Sequence, residues 1–282
     1  MSLKNTPPVP IPTLHLFPVL DKMLIELLKS LTPDQWNLPT IARQWTVKDI
    51  SAHLLDGNLR NLSASRDNYF VQQDVTFASY GDLVSYLNQL NHEWTNAAKR
   101  LSPQIITYLL ELSGKQYVEH LNSLDPFGKA IYSVAWAGQD VSENWFHIAR
   151  EYTEKFLHQQ QIRDAVGIPG LMTKELFLPF MDIMLFGMLP TYKDVAAENG
   201  TYISIVISSE IGGTWNLYKE NDSWCFIEDP GKQPDATLEI EPDLAWKLFS
   251  KSIRPEAIGN DIIITGNQNL GKVVLSMVSV MA

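Results

Sequence analysis

Cysteine is nearly absent from this chain. Cys225 is the only one in 282 residues. That excludes an internal disulfide and any cysteine-rich zinc site, and it fits a reducing cytoplasm. A metal here would use nitrogen and oxygen ligands. Positive charge is also sparse, with 22 Lys+Arg against 32 Asp+Glu and a net charge of −10. No run of Lys or Arg offsets that balance. A nucleic-acid partner is therefore not expected, because such binding rests on clustered cations and counterion release. No apolar stretch reaches about 18 residues without a charge, so no segment is expected to span a membrane. The N-terminus, Met1-Ser-Leu-Lys-Asn-Thr-Pro-Pro8, lacks the apolar core of a signal peptide. No serine-centred nucleophile elbow occurs, which leaves serine hydrolysis with little support.

What is present reads first as helices and then as strands. Leu16, Val19, Leu20, Met23, Leu24, Leu27, Leu28 and Leu31 recur every three to four residues, the period of an amphipathic helix. A second long helix is expected from Thr46, which can cap it, with Val47, Ile50, Leu54, Leu55 and Leu62 as its apolar face. A third is expected over about 82–100. Shorter helices follow Ser102-Pro103 and span 116–124. A fourth long helix is expected from Asp140, where Asp140 and Glu143 have capping-box spacing. Gly167-Ile-Pro-Gly170 ends it. One more apolar, methionine-rich helix covers 172–188. Short strands then read at 202–207, 214–218, 224–227, 237–240 and 262–265, with helices at 243–250 and 269–281. Helices followed by strands mean two domains or an α+β assembly. The boundary falls near residue 170, giving a helical part at 1–170 and an α+β part at 171–282.

Chemistry concentrates on the fourth long helix. His147, Glu151, Glu154 and His158 stand at offsets of 0, 4, 7 and 11. At about 100° per residue they share an arc roughly 60° wide. Imidazoles and carboxylates stacked in this way suit a divalent metal. Glu154 and His158, at i and i+4, converge without backbone strain. His53 on the second helix could supply a third ligand, as in metal sites within bundle cores. A plainer reading also stands. Trp145, Ile148, Tyr152 and Phe156 form the obvious apolar face, and the His/Glu stripe lies nearly opposite, where solvent is expected. Phe146, Leu157, Ile162 and Ala165 flank the stripe with apolar atoms and weaken that reading.

Two segments carry a family resemblance. Trp45-Thr-Val-Lys-Asp-Ile-Ser-Ala-His53-Leu54 resembles the signature of the DinB-like metal-binding bundles, in particular the N-terminal domain of mycothiol-dependent maleylpyruvate isomerases. Glu154-Lys-Phe-Leu-His158 is similar to the Glu-x-x-x-His of the same branch, where the wider DinB-like group more often has His first. The resemblance implies a four-helix bundle with His53, Glu154 and His158 as metal ligands. It extends more faintly to the C-terminal part, which looks like a smaller sterol-carrier-like α+β domain. His147 and Glu151 do not match ligand positions and stand as candidate pocket or catalytic groups.

The function this implies is activation of a low-molecular-weight thiol. A cation lowers the pKa of a coordinated thiol or water. The thiolate would then add to a small electrophile and either leave after isomerisation or remain attached. The expected cofactor is a divalent metal, zinc first. The expected partners are a small substrate and a thiol, with a homodimer admissible. Two alternatives are metal-dependent hydrolysis with Glu151 as base, and a non-enzymatic module holding an apolar ligand in the C-terminal part. Cys225, between Trp224 and Phe226 on a strand, reads as packing. Arg254 reads as a surface residue, and His15, His92 and His120 as incidental.

Overall fold

The amphipathic spacing near the N-terminus becomes helix α1 (Phe17–Ser30), whose Leu20, Leu24, Leu27 and Leu28 are buried. The computed structural model describes residues 8–42, 44–70, 79–258 and 261–277. The last residues of the final helix expected at 269–281 fall outside these. Helix α2 (Val47–Asn61) starts at Thr46. There the Thr46 hydroxyl accepts from the Asp49 amide, while the Asp49 carboxylate accepts from the Thr46 amide. This reciprocal cap satisfies two amides that the first turn leaves open. The same device, with Ser79 and Asp82, starts α3 (Tyr80–Ala98). Trp94 of α3 donates its indole N–H to the Ala52 carbonyl at 2.7 Å and ties α3 to α2.

Three sequence expectations need correction. The two short helices expected after Ser102 are one helix, α4 (Pro103–Ser123). Gly114 does not stop it. A Cβ there would lie 2.8 Å from the Asp21 carboxylate, so the glycine permits close approach of α1 and α4. The fourth long helix, α5, covers Asn144–Val166 and does not start at Asp140. The Glu143 carboxylate instead accepts from the Trp145 indole at 2.7 Å, and the Glu143 backbone pairs with that of Lys129 in an isolated antiparallel β-bridge. The apolar stretch at 172–188 is broken. It gives α6 (Lys174–Met184), a single 3-10 turn at Leu185–Gly187, and α7 (Met188–Tyr192).

The expected strands form one sheet: β1 (Tyr202–Ile207), β2 (Gly213–Glu220), β3 (Ser223–Ile227), β4 (Ala236–Ile240) and β5 (Ile262–Gly266). Their order is β3-β2-β1-β4-β5, parallel only between β1 and β4. Central β1 is buried at Tyr202, Ile203, Ser204, Ile205 and Ile207, which explains its continuous apolar run. Helices α8 (Pro242–Phe249) and α9 (Gln268–Val273) flank β5 in sequence. The chain is thus α+β, a helical N-terminal region followed by a five-stranded region. Packing groups it into two compact units. One holds Leu14–Asp125 and His158–Ile168; the other holds the segment up to Thr13, Pro126–Leu157 and Pro169–Ala282. The division falls within α5, between Leu157 and His158.

Candidate metal centre

His53 sits two turns into α2, between buried Ala52 and Leu54. Its Nδ1 is buried and meets no hydrogen-bond partner. A buried polar atom without a partner is rare and asks for an explanation. Desolvation holds this imidazole well below its ordinary pKa, and the charges of His158 and Arg60 push the same way. A hydrogen bond with Asn91 acts in the opposite sense. The ring is therefore neutral, the form that binds metals.

His158 is only 1% exposed. Its Nδ1 lies 2.8 Å from the Gln161 amide oxygen. An oxygen partner requires Nδ1 to carry the proton, which leaves the Nε2 lone pair for a cation. The two imidazoles meet edge to face with centroids 4.7 Å apart. Trp45, just before α2, lies 4.7 Å from the His53 ring and 5.9 Å from the His158 ring. The indole thus walls one side of both rings.

Glu154 lies one turn before His158 on α5. One ligand atom from each of His53, Glu154 and His158 lies within 4.8 Å of the others. Tetrahedral ligands about 2.0–2.2 Å from a cation stand about 3.3–3.6 Å apart, so side-chain rotations that move ligand atoms by about an ångström would close the set. Two imidazoles and a carboxylate, with a buried nitrogen of His53 otherwise unsatisfied, fit a divalent metal of the zinc type. Three ligands also leave a coordination position for water or substrate.

The stripe on α5 is not a solvated face. His147 is 2% and Glu151 8% exposed. Arg150, which the helical spacing did not single out, joins them. Its Nη2 lies 3.1 Å from His147 Nδ1 and pairs with the Glu151 carboxylate. These two candidate catalytic residues are outside the ligand cluster, one and two turns before Glu154. Gln161 and Asn91 were also missed. Gln161 was legible as an i+3 neighbour of His158, whereas Asn91 had no local signal. His120 lies 2.7 Å from the Ser65 hydroxyl and His92 2.8 Å from the Asn96 amide, neither in the cluster. Arg254 is exposed. Cys225 is half-buried, with its sulfur 3.6 Å from the Tyr218 carbonyl.

Residues 19–163 match the family model described as the mycothiol maleylpyruvate isomerase N-terminal domain, which is just over half of the chain. The chain belongs to this family. The segment matching the mycothiol maleylpyruvate isomerase domain contains His53, Glu154 and His158. Two crystal structures share the fold, that of the mycothiol-dependent maleylpyruvate isomerase and that of a histidine-to-alanine mutant of it. They give TM-scores of 0.55 and 0.56 at 9% identity, over 94% of this chain and 96% of theirs. The likeness to the isomerase therefore includes the α+β region. At that identity it speaks for the fold alone. No curated protein matches the chain.

Proposed function

We propose that this chain is a metal-dependent enzyme that applies a low-molecular-weight thiol to a small electrophile, by isomerisation or by sulfur transfer. The observation that carries the reading is the convergence of His53, Glu154 and His158, with a buried nitrogen of His53 lacking any other partner. A bound divalent metal, zinc first, would lower the pKa of a coordinated thiol or water.

The chain's own residues do the rest. Gln161 fixes the tautomer and orientation of His158. Trp45 keeps water from one side of the imidazoles, and burial favours the neutral form of His53. Glu151 and His147 lie about 4.5 Å and 10.5 Å along the helix axis from Glu154, given 1.5 Å per residue. We assign them the handling of protons on the substrate, with Arg150 holding the Glu151 carboxylate in place. In this reading residues 1–170 are the metal-binding bundle and 171–282 a second α+β domain. The reducing cytoplasm is the compartment such thiol chemistry suits. No helix among the described residues is long and apolar enough to cross a membrane.

The test loads the protein with zinc and follows maleylpyruvate isomerisation and thiol loss with mycothiol, glutathione and cysteine. Turnover that needs both metal and one of these thiols supports the reading. Metal-dependent turnover indifferent to thiol would move the assignment to hydrolysis by metal-bound water. No metal-dependent reaction with any thiol would reject it.

A further inference from the structure

Glycine, after proline, is the worst residue for a helix interior, so each glycine there asks for a reason. Gly114 in α4 and Gly271 in α9 have one. A Cβ would lie 2.8 Å from the Asp21 carboxylate at the first and 2.5 Å from the Ile264 side chain at the second. Gly57, in the middle of α2, has no such reason. A Cβ there would meet no atom of the described residues within 4 Å.

That space is a recess and not open surface. The neighbours of Gly57 on the helix surface, three and four residues away, are His53, Leu54, Arg60 and Asn61. Leu54 is 6% and Asn61 9% exposed, and Nδ1 of His53 is buried. The Asn61 amide donates to the Gly57 carbonyl at 2.9 Å, which folds that side chain back onto its own helix. Only Arg60 reaches water. Its side chain is half exposed, and its Nε lies 2.8 Å from the Asp56 carboxylate. A line along α2 therefore leads from the buried imidazole of His53, past a gap at Gly57, to solvent at Arg60. It spans about 10 Å at 1.5 Å per residue.

We infer that Gly57 makes room for the ligand that fills the metal's open coordination position, and that the body of a low-molecular-weight thiol lies along α2 from His53 past Gly57. The inference deepens the thiol reading proposed above and rests on it. A catalytic metal needs a vacant position and a path to it. A side chain at 57 would occupy that path one turn from a ligand. The helix thus gives up stability at this position in exchange for access, where Gly114 and Gly271 serve packing. Gly57 touches no reacting atom in this account. It decides how large a ligand the centre accepts.

The full chain loaded with cobalt(II) in place of zinc provides the test, because the visible absorption of cobalt reports each added ligand. Azide probes the open position alone; N-acetylcysteine and glutathione probe the room beyond it. The wild type should bind all three. Gly57→Leu should keep its cobalt and bind azide within about twofold of the wild type, while both thiols weaken by at least about tenfold. Gly57→Ala should show a smaller loss in the same order. Its metal-free form should melt about 2 °C higher than the metal-free wild type, as a better helix former without a clash. Circular dichroism checks that both variants keep their helicity. Thiol affinities unchanged in both variants would overturn the inference and leave the metal centre standing. Equal loss of azide and thiols would overturn it too, by showing that position 57 acts on the metal. So would a metal-free Gly57→Ala that melts lower, which would give the glycine a packing role. A wild type that takes up no cobalt would remove the metal centre itself, and this inference with it.

Discussion

The ring of His53 stands edge to face against that of His158, with the planes at 76°. This relationship brings nitrogen ligands from two helices to one point. It is also costly without a cation, because a buried imidazole nitrogen of His53 then has nothing to accept or donate.

Metal content should follow this pair. Wild-type protein incubated with zinc and desalted should retain one ion per chain by elemental analysis. His158→Ala and His53→Ala should retain none at the same free zinc. Zinc at a hundred times its dissociation constant stabilises a fold by about 2.7 kcal/mol. The wild type should therefore melt several degrees higher with zinc, and the two variants should not shift.

Gln161 acts on the metal only through His158. Gln161→Leu removes the acceptor that holds the ring. Zinc affinity, read by competition with a chromophoric chelator, should fall about 10- to 100-fold. An unchanged affinity would mean that packing alone orients the imidazole.

Glu151→Gln separates chemistry from binding. The substitution keeps the shape and a partner for Arg150 but removes the base. Zinc content should remain at the wild-type level while kcat falls by about 10²–10⁴. Equal loss of zinc and of turnover would make Glu151 a structural anchor for Arg150.

Asp182 offers a test away from the metal. Burial raises its carboxyl pKa, while a hydrogen bond from the Trp215 indole at 2.9 Å works against that rise. A carboxyl whose folded pKa exceeds its unfolded one costs stability above the folded pKa. That cost vanishes as pH falls through the folded value to the unfolded one. Asp182→Asn keeps an acceptor for Trp215 without the charge. It should raise Tm at pH 7 by on the order of 2 °C. The gain should shrink toward zero near pH 4.

Gly266 closes β5 with φ of +73°, and a Cβ there would lie 2.4 Å from the Asp235 carbonyl oxygen. Both the backbone conformation and the contact exclude a larger residue. Gly266→Ala should destabilise the sheet by about 2–4 kcal/mol in urea unfolding followed by tryptophan fluorescence.

Much of the helical region was legible because its signals are local. Thr46 and Asp49, three residues apart, start α2 by contacts within one turn. The leucines of α1 and the Gly167 terminator of α5 work over similar spans. Errors arose where a distant partner claimed a residue. The two helices expected after Ser102 are one, and its Gly114 lies against the Asp21 carboxylate of α1. Glu143 has the spacing of a cap, but Trp145 takes its carboxylate. The candidate site divides in the same way. Glu154 and His158 follow from helical spacing, while Arg150 and Asn91 gain meaning only from contacts that spacing does not encode.

The sequence alone determined the types and order of the elements, and which nitrogen and oxygen groups are available in a chain with one cysteine. Period, capping and turn chemistry act over a few residues, and those few residues are written side by side. Tertiary structure decided whether the His/Glu stripe of α5 faces water or protein, and whether His53 reaches it. Those outcomes depend on how separate helices pack, and on the desolvation that packing imposes on an imidazole nitrogen.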